Sequence, residues 1–98
     1  MRVEYHDEAV DDIFNAIEYQ RKQGPNQAER LQQDLIAAIA GIVGAPIRWP
    51  IWRRGPMRYY MLDTFQYSVC YDFEPPDLIR VLIFRHHAQK PSYGIKRR

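Results

Sequence analysis

The sequence holds a single cysteine, Cys70, which excludes an internal disulfide and any zinc site built from clustered thiolates. It has no apolar run near the about 20 residues that a helix needs to cross a bilayer, so no membrane association is expected. The first residues, "MRVEYHDEAVDD", are acidic and lack an apolar signal region, which argues against secretion. Phosphate-cradling GxxxxGKS/T patterns, HExxH and a glycine-flanked serine elbow are all absent, and with them the usual signatures of nucleotide hydrolysis, zinc proteolysis and serine esterase chemistry. The expectation is a small cytoplasmic protein without cofactor or metal.

What is present is ordinary globular material. The chain has 98 residues, 46% hydrophobic and 27% charged, enough for one domain spanning 1–98 and one core. The net charge is only +2, yet it is unevenly placed. Residues 1–44 carry four Lys/Arg against eight Asp/Glu, and residues 45–98 carry ten against four. A basic half of this kind suits a polyanion or an acidic partner.

Val3 and Tyr5 alternate with Arg2 and Glu4, the pattern of a short half-buried strand. From Asp7 the period lengthens: Val10, Ile13, Phe14 and Ile17 form a helical stripe, with Asp7 as N-cap and Glu8, Asp11 and Asp12 at the positive end of the dipole. Gly24-Pro25 stops that helix. A second runs from about Asn26 to Gly44 with the stripe Ala28, Leu31, Leu35, Ala38, Ile39 and Ile42. The two read as a hairpin, with Ala37, Ala38, Ala40 and Gly41 small enough for close packing.

After Pro46 the chain turns to strand formers. "IRWPIWRRGP" reads as a loop or irregular strand that Pro50 keeps from a central position. "MRYYMLDTF", "QYSVCYDF" and "LIRVLIF" read as strands, the last two joined by an "EPPD" turn. The expected fold class is α+β, in the order β-α-α-β-β-β: a helical hairpin on a largely antiparallel sheet. The basic tail 94–98 is a candidate for disorder.

Three histidines raise the question of a metal. If the last strand runs through "FRHH", Leu82, Phe84 and His86 share one face and Ile83, Arg85 and His87 the other, so the adjacent His86 and His87 cannot grip one ion. No metal site follows. Cys70, inside a strand pattern, reads as an inert buried thiol. What remains is a basic and aromatic set: Trp49, Trp52, Arg53, Arg54, Arg58, Tyr60, Arg80, Arg85, His86, His87, Lys90 and Tyr93. Arg58 with Tyr60, and Arg80 with Leu82 and Phe84, have like parity on their strands. Such a set can bind phosphates and stack on bases, or serve a metal-independent ribonuclease. Spacing favours a binding face over an active site.

The element order, the early "YHDEAVDDI", the block "WPIWRRGPMRYYMLDTFQYSVCYDF" and the ending "VLIFRHHAQKPSYG" together resemble the RelE/ParE superfamily of toxins from bacterial type II toxin–antitoxin (plasmid stabilisation) systems. The resemblance implies a growth-inhibiting protein held inactive by a cognate antitoxin, the pair repressing its own operon, so that operator DNA is met only through the antitoxin complex. RelE-like members cleave mRNA on the ribosome; ParE-like members inhibit DNA gyrase. The glycine, arginine and "F-x-Y" run of the central block and the His-basic-Pro ending are nearer the ParE pattern, which carries over to Arg58, Phe65, Tyr67, Tyr71, His86, Lys90, Pro91 and Tyr93. Gln66 stands where Pro is frequent, Ala88-Gln89 where Arg is frequent, and Gly94 where Trp is common. Residues 45–65 offer Arg at 48, 53, 54 and 58 but no Lys, and Arg is a poor general base. The implied target-binding residues are therefore Arg58, Arg85, Lys90 and Tyr93, with gyrase as target and no catalysis. In the alternative, a ribosome-dependent endonuclease, Arg58, Arg85, His86, Lys90 and Tyr93 would be catalytic. A third reading is an inactive, toxin-derived binding module.

Overall fold

The computed structural model describes residues 1–52 and 55–97; Arg53 and Arg54 of the basic set and Arg98 of the tail lie outside the described residues. The elements run β1 (Arg2–Tyr5), α1 (Asp7–Gln23), α2 (Gln27–Gly44), β2 (Arg58–Met61), β3 (Tyr67–Glu74) and β4 (Leu78–His86). They form a four-stranded sheet in the order β1-β4-β3-β2, with β1 parallel to β4 and the other pairs antiparallel. The helices cover one face of the sheet. There Ala9, Ala16, Leu31, Ala38 and Ile42 meet Tyr67, Val69, Tyr71, Ile79, Val81 and Phe84. Burying each large apolar side chain of this set contributes about 1.5–3 kcal/mol. The second face carries a smaller cluster of Met57, Cys70, Leu82 and Ile83, roofed by Trp52, Tyr59 and Tyr93.

Each helix end has a local cause, and α1 starts one residue earlier than its carboxylates suggest. His6, not Asp7, is the N-cap: its Nδ1 accepts the Glu8 N–H at 3.0 Å. Gly24 ends α1, and Asn26 takes a left-handed φ of 68° before α2 begins. The buried stripe of α1 is also rotated from the expected one. Ala9, Asp12 and Ala16 are buried and Ile13 and Ile17 partly so, while Val10 is exposed and Phe14 is 63% exposed. The small residues let α1 lie close on β4, and Asp12 finds polar partners there. The stripe of α2 is as expected, with Ala28, Leu31, Ala38 and Ile42 buried and Leu35 and Ile39 packed beside them. Of its small residues, Ala37 and Ala40 face solvent, whereas a Cβ on Gly41 would sit 2.9 Å from the Tyr60 ring. Gly41 is thus where α2 needs room, and its carbonyl accepts the Trp49 indole N–H at 3.2 Å.

Residues 50–52 run along the outer edge of β2. An Ile51–Arg58 bridge and a Trp52 N–H donated to Met57 O (2.7 Å) cover that edge in part. A β-bulge falls in β4: Tyr71 pairs with Val81 but Cys70 with Ile83, so Leu82 is an extra residue. It changes the facing expected from simple alternation. Leu82 joins Ile83 on the second face, Phe84 turns to the helices, and the expected grouping of Arg80, Leu82 and Phe84 does not hold.

Candidate target-contact surface

The sheet divides the nominated residues. Arg58 pairs with Tyr71, a residue of the helix-side core, and donates from Nη1 to Trp49 O at 2.7 Å. His86 pairs with Tyr67 on that same face, edge-on to its ring, and its Nδ1 accepts the Ala88 N–H at 3.0 Å. Arg85 pairs with Ser68 and points to the second face, as does Tyr93. Lys90 stands exposed on the turn after β4. The five residues of the ribonuclease alternative are therefore not one cluster; two lie on each face and one at the end of the sheet.

Arg85 is only 4% exposed. Its guanidinium sits over the Trp52 ring, 5.0 Å from the centroid, and donates to the Gln89 carbonyl. Arg85 Nε and Trp52 Nε1 are buried without a hydrogen-bond partner. Arg85 thus holds the turn at Gln89 against the roof of the second face, which is a different placement from the solvent-facing contact its residue type suggests. Close by, burial pushes the Cys70 thiol up to about 12, against the opposing pull of Arg85. A thiol in that state supplies no nucleophile at neutral pH. His87 donates to or accepts from Ser68 Oγ at 2.8 Å. Burial, with Arg85 and His86 as like charges, lowers its imidazole below the usual value against a Tyr67 backbone hydrogen bond that acts to raise it.

The sequence reading missed the residue that organises this end of the molecule. Asp12, expected to act on the helix dipole, is buried, and β4 and the C-terminal segment converge on it. Its carboxylate accepts the Phe84 N–H (3.1 Å), the Tyr93 hydroxyl (2.5 Å) and the Arg97 guanidinium (2.5 and 3.4 Å). Arg97 also donates to the Leu82 carbonyl at 3.0 Å and pairs with Glu8 at 3.1 Å. These bonds occur just where β1 stops pairing with β4, so they satisfy strand groups left without a neighbour. The hydrogen bond to Asp12, then burial, raises the Tyr93 hydroxyl above its usual value. Burial pulls the Arg97 guanidinium down, but its bonds to Asp12 and Tyr93 outweigh this and raise it. Residues 94–97, the described part of the basic tail, are thus packed by Arg97 against α1 and β4. One signal was legible: Asp12 falls three residues after Ala9 and four before Ala16, in line with the small residues of a buried stripe.

Two comparisons bear on this geometry. A chain of the solved structure titled "Chromosomal ParDE TA system from P. aeruginosa" superposes with a TM-score of 0.74 at 16% sequence identity, covering 88% of this chain and 95% of that one. At that identity the match shows the fold, a helical hairpin on a four-stranded sheet. The family described as "ParE toxin of type II toxin-antitoxin system, parDE" matches residues 3–91, and the chain belongs to it. Among curated proteins no match is found.

Proposed function

We propose that this protein inhibits growth by binding DNA gyrase in the cytoplasm and is neutralised by a cognate antitoxin, without catalysis of its own. The family match over residues 3–91 carries the reading. The geometry supports binding over RNA cleavage, because Arg58 and His86 are committed to the helix side of the sheet while Arg85 and Tyr93 are engaged on the other. The surface open to a target is the C-terminal segment around exposed Lys90, with Arg85 and Tyr93 beneath it as support. An acidic antitoxin segment suits the basic balance of residues 45–98, and operator DNA would be met through that complex.

The test is titration of folded protein into a gyrase supercoiling assay with and without ATP. Dose-dependent loss of supercoiling or trapped DNA cleavage is expected, and Lys90→Glu should weaken it about 10-fold or more while leaving the fold intact. Unaffected gyrase together with transcripts cut on the ribosome would replace the reading with an mRNA endonuclease. Antitoxin binding with no growth defect would replace it with an inactive binding module.

A further inference from the structure

The described residues offer three further candidates: the open cleft between His6 and the C-terminal segment, the exposed apolar residues of α1, and the bonds that converge on Asp12. The cleft is lined by residues already spent on one another, Glu8 with Arg97 among them. Nothing in the structure points to what covers Phe14. The Asp12 cluster carries an inference.

After His86 the chain turns and runs back over the second face. Three attachments fix its path. At the turn, Arg85 holds the Gln89 carbonyl while Gln89 Oε1 accepts the His86 N–H at 2.8 Å. In the middle, Tyr93 joins the apolar cluster of the second face and gives its hydroxyl to Asp12. At the end, Arg97 lies over the Tyr93 ring (4.9 Å to the centroid) and bridges Asp12, Glu8 and the Leu82 carbonyl. Gly94, with φ +71°, lies so close to the sheet that a Cβ there would stand 2.9 Å from Ile83 Cγ1. Lys90, Ser92 and Lys96 remain exposed, and Ile95 is 37% exposed. The inward residues of the segment hold it, and the outward ones are free to meet another molecule.

Chain ends of this length are ordinarily mobile unless tied down, and a mobile segment loses affinity to the entropy of ordering it on binding. The attachment here is a carboxylate on α1, 81 and 85 residues away in sequence from the two side chains it holds. We propose that Asp12 is a positioning residue: through Tyr93 and Arg97 it fixes the C-terminal segment in the shape in which Lys90, Ile95 and Lys96 meet the target. The side chains so presented are two lysines and one aliphatic residue, which fit an acidic surface with an apolar spot on a protein. This rests on the binding reading above, but growth arrest measures it whatever the target is.

The experiment compares Asp12→Asn, Arg97→Gln, Tyr93→Phe and the double variant D12N/R97Q with the wild type at matched soluble expression. Growth arrest after induction, gyrase inhibition and peptide-resolved hydrogen exchange are the readouts. In D12N and R97Q, exchange in residues 90–97 should rise at least 10-fold while that of β3 changes less than 2-fold. The dose needed for arrest and for gyrase inhibition should rise at least 10-fold in both. Because the two singles share the Asp12–Arg97 bond and each also breaks bonds of its own, the double variant should lose less than the sum of the singles; fully additive losses would overturn a shared role. Y93F, lacking one hydroxyl, should fall between them and the wild type. Unchanged exchange at residues 90–97 in folded R97Q would overturn the attachment. Fast exchange with undiminished growth arrest would overturn the positioning role. Wild-type protein that arrests growth but leaves gyrase untouched would overturn the gyrase reading, and the growth data would still decide the role of Asp12.

Discussion

The two faces of the sheet are built on different physics. On the helix side, apolar side chains from α1, α2, β3 and β4 interlock, and the stabilisation is the sum of many similar contacts. On the second side a small cluster of Met57, Cys70, Leu82 and Ile83 is roofed by loop and C-terminal residues held through charged and polar groups: Arg85 over Trp52, His87 with Ser68, Asp12 with Arg97 and Tyr93. The first arrangement tolerates small errors of direction and resists large losses of volume. The second depends on a few directed bonds, each with a named donor and acceptor. The face that stabilises the domain and the face that presents its proposed contact surface are thus separable by mutation.

The largest expected effect is on the helix side. Leu31→Ala removes a side chain that is 1% exposed and should cost about 2–5 kcal/mol in denaturant unfolding. A loss under about 1 kcal/mol would mean that α2 is not the main cover of this face. Next comes Gly41→Ala, at the contact between α2 and Tyr60. The added methyl gains about 1 kcal/mol of helix propensity but meets a ring held edge-on by Trp49 at a centroid distance of 4.6 Å. The net result should be destabilisation of about 1–3 kcal/mol, and a higher melting temperature instead would show that the ring yields freely. The smallest effect belongs to the second face and appears only with pH. His87 binds its proton less readily folded than unfolded. The stability linked to its neutral form is therefore present above the ordinary imidazole value, about 6.5, and is lost as pH falls through the lower folded value. His87→Gln should flatten this part of the stability profile, and an unaltered slope would remove His87 from the account of that face.

The helix side was largely legible in the sequence. The order β-α-α-β-β-β, the stripe of α2 and the strand pairing of the aromatic block follow from period and turn residues, since apolar periodicity reports what is buried against a continuous surface. The second side was not, for two physical reasons. Its bonds join residues far apart in the chain, as Asp12 and Arg97 are, and no local period records them. Its charged residues are inside: Arg85 and Asp12 belong to types that normally mark the surface. On the helix side the stripe of α1 departs from its apolar period because size rather than hydrophobicity decides where that helix approaches β4, so Ala9 and Ala16 are buried and Phe14 is not.

The extra residue at Leu82 also sets how this strand can vary. In a regular strand, one alternating rule of tolerated and forbidden polarity runs from end to end. Here the rule changes phase midway: odd positions 79 and 81 need apolar residues for the helices, and beyond the bulge that demand passes to even position 84. Deleting Leu82 would therefore do more than shorten β4. It would merge the two halves into one regular alternation, with Val81 and Phe84 still toward the helices and Arg85 still over Trp52, and what would go is the local bend of the bulge and the Leu82 side chain in the second-face cluster. A segment exchanged across residue 82 must therefore be aligned on facing, with the counterparts of Val81 and Phe84 toward the helices, and not on residue count.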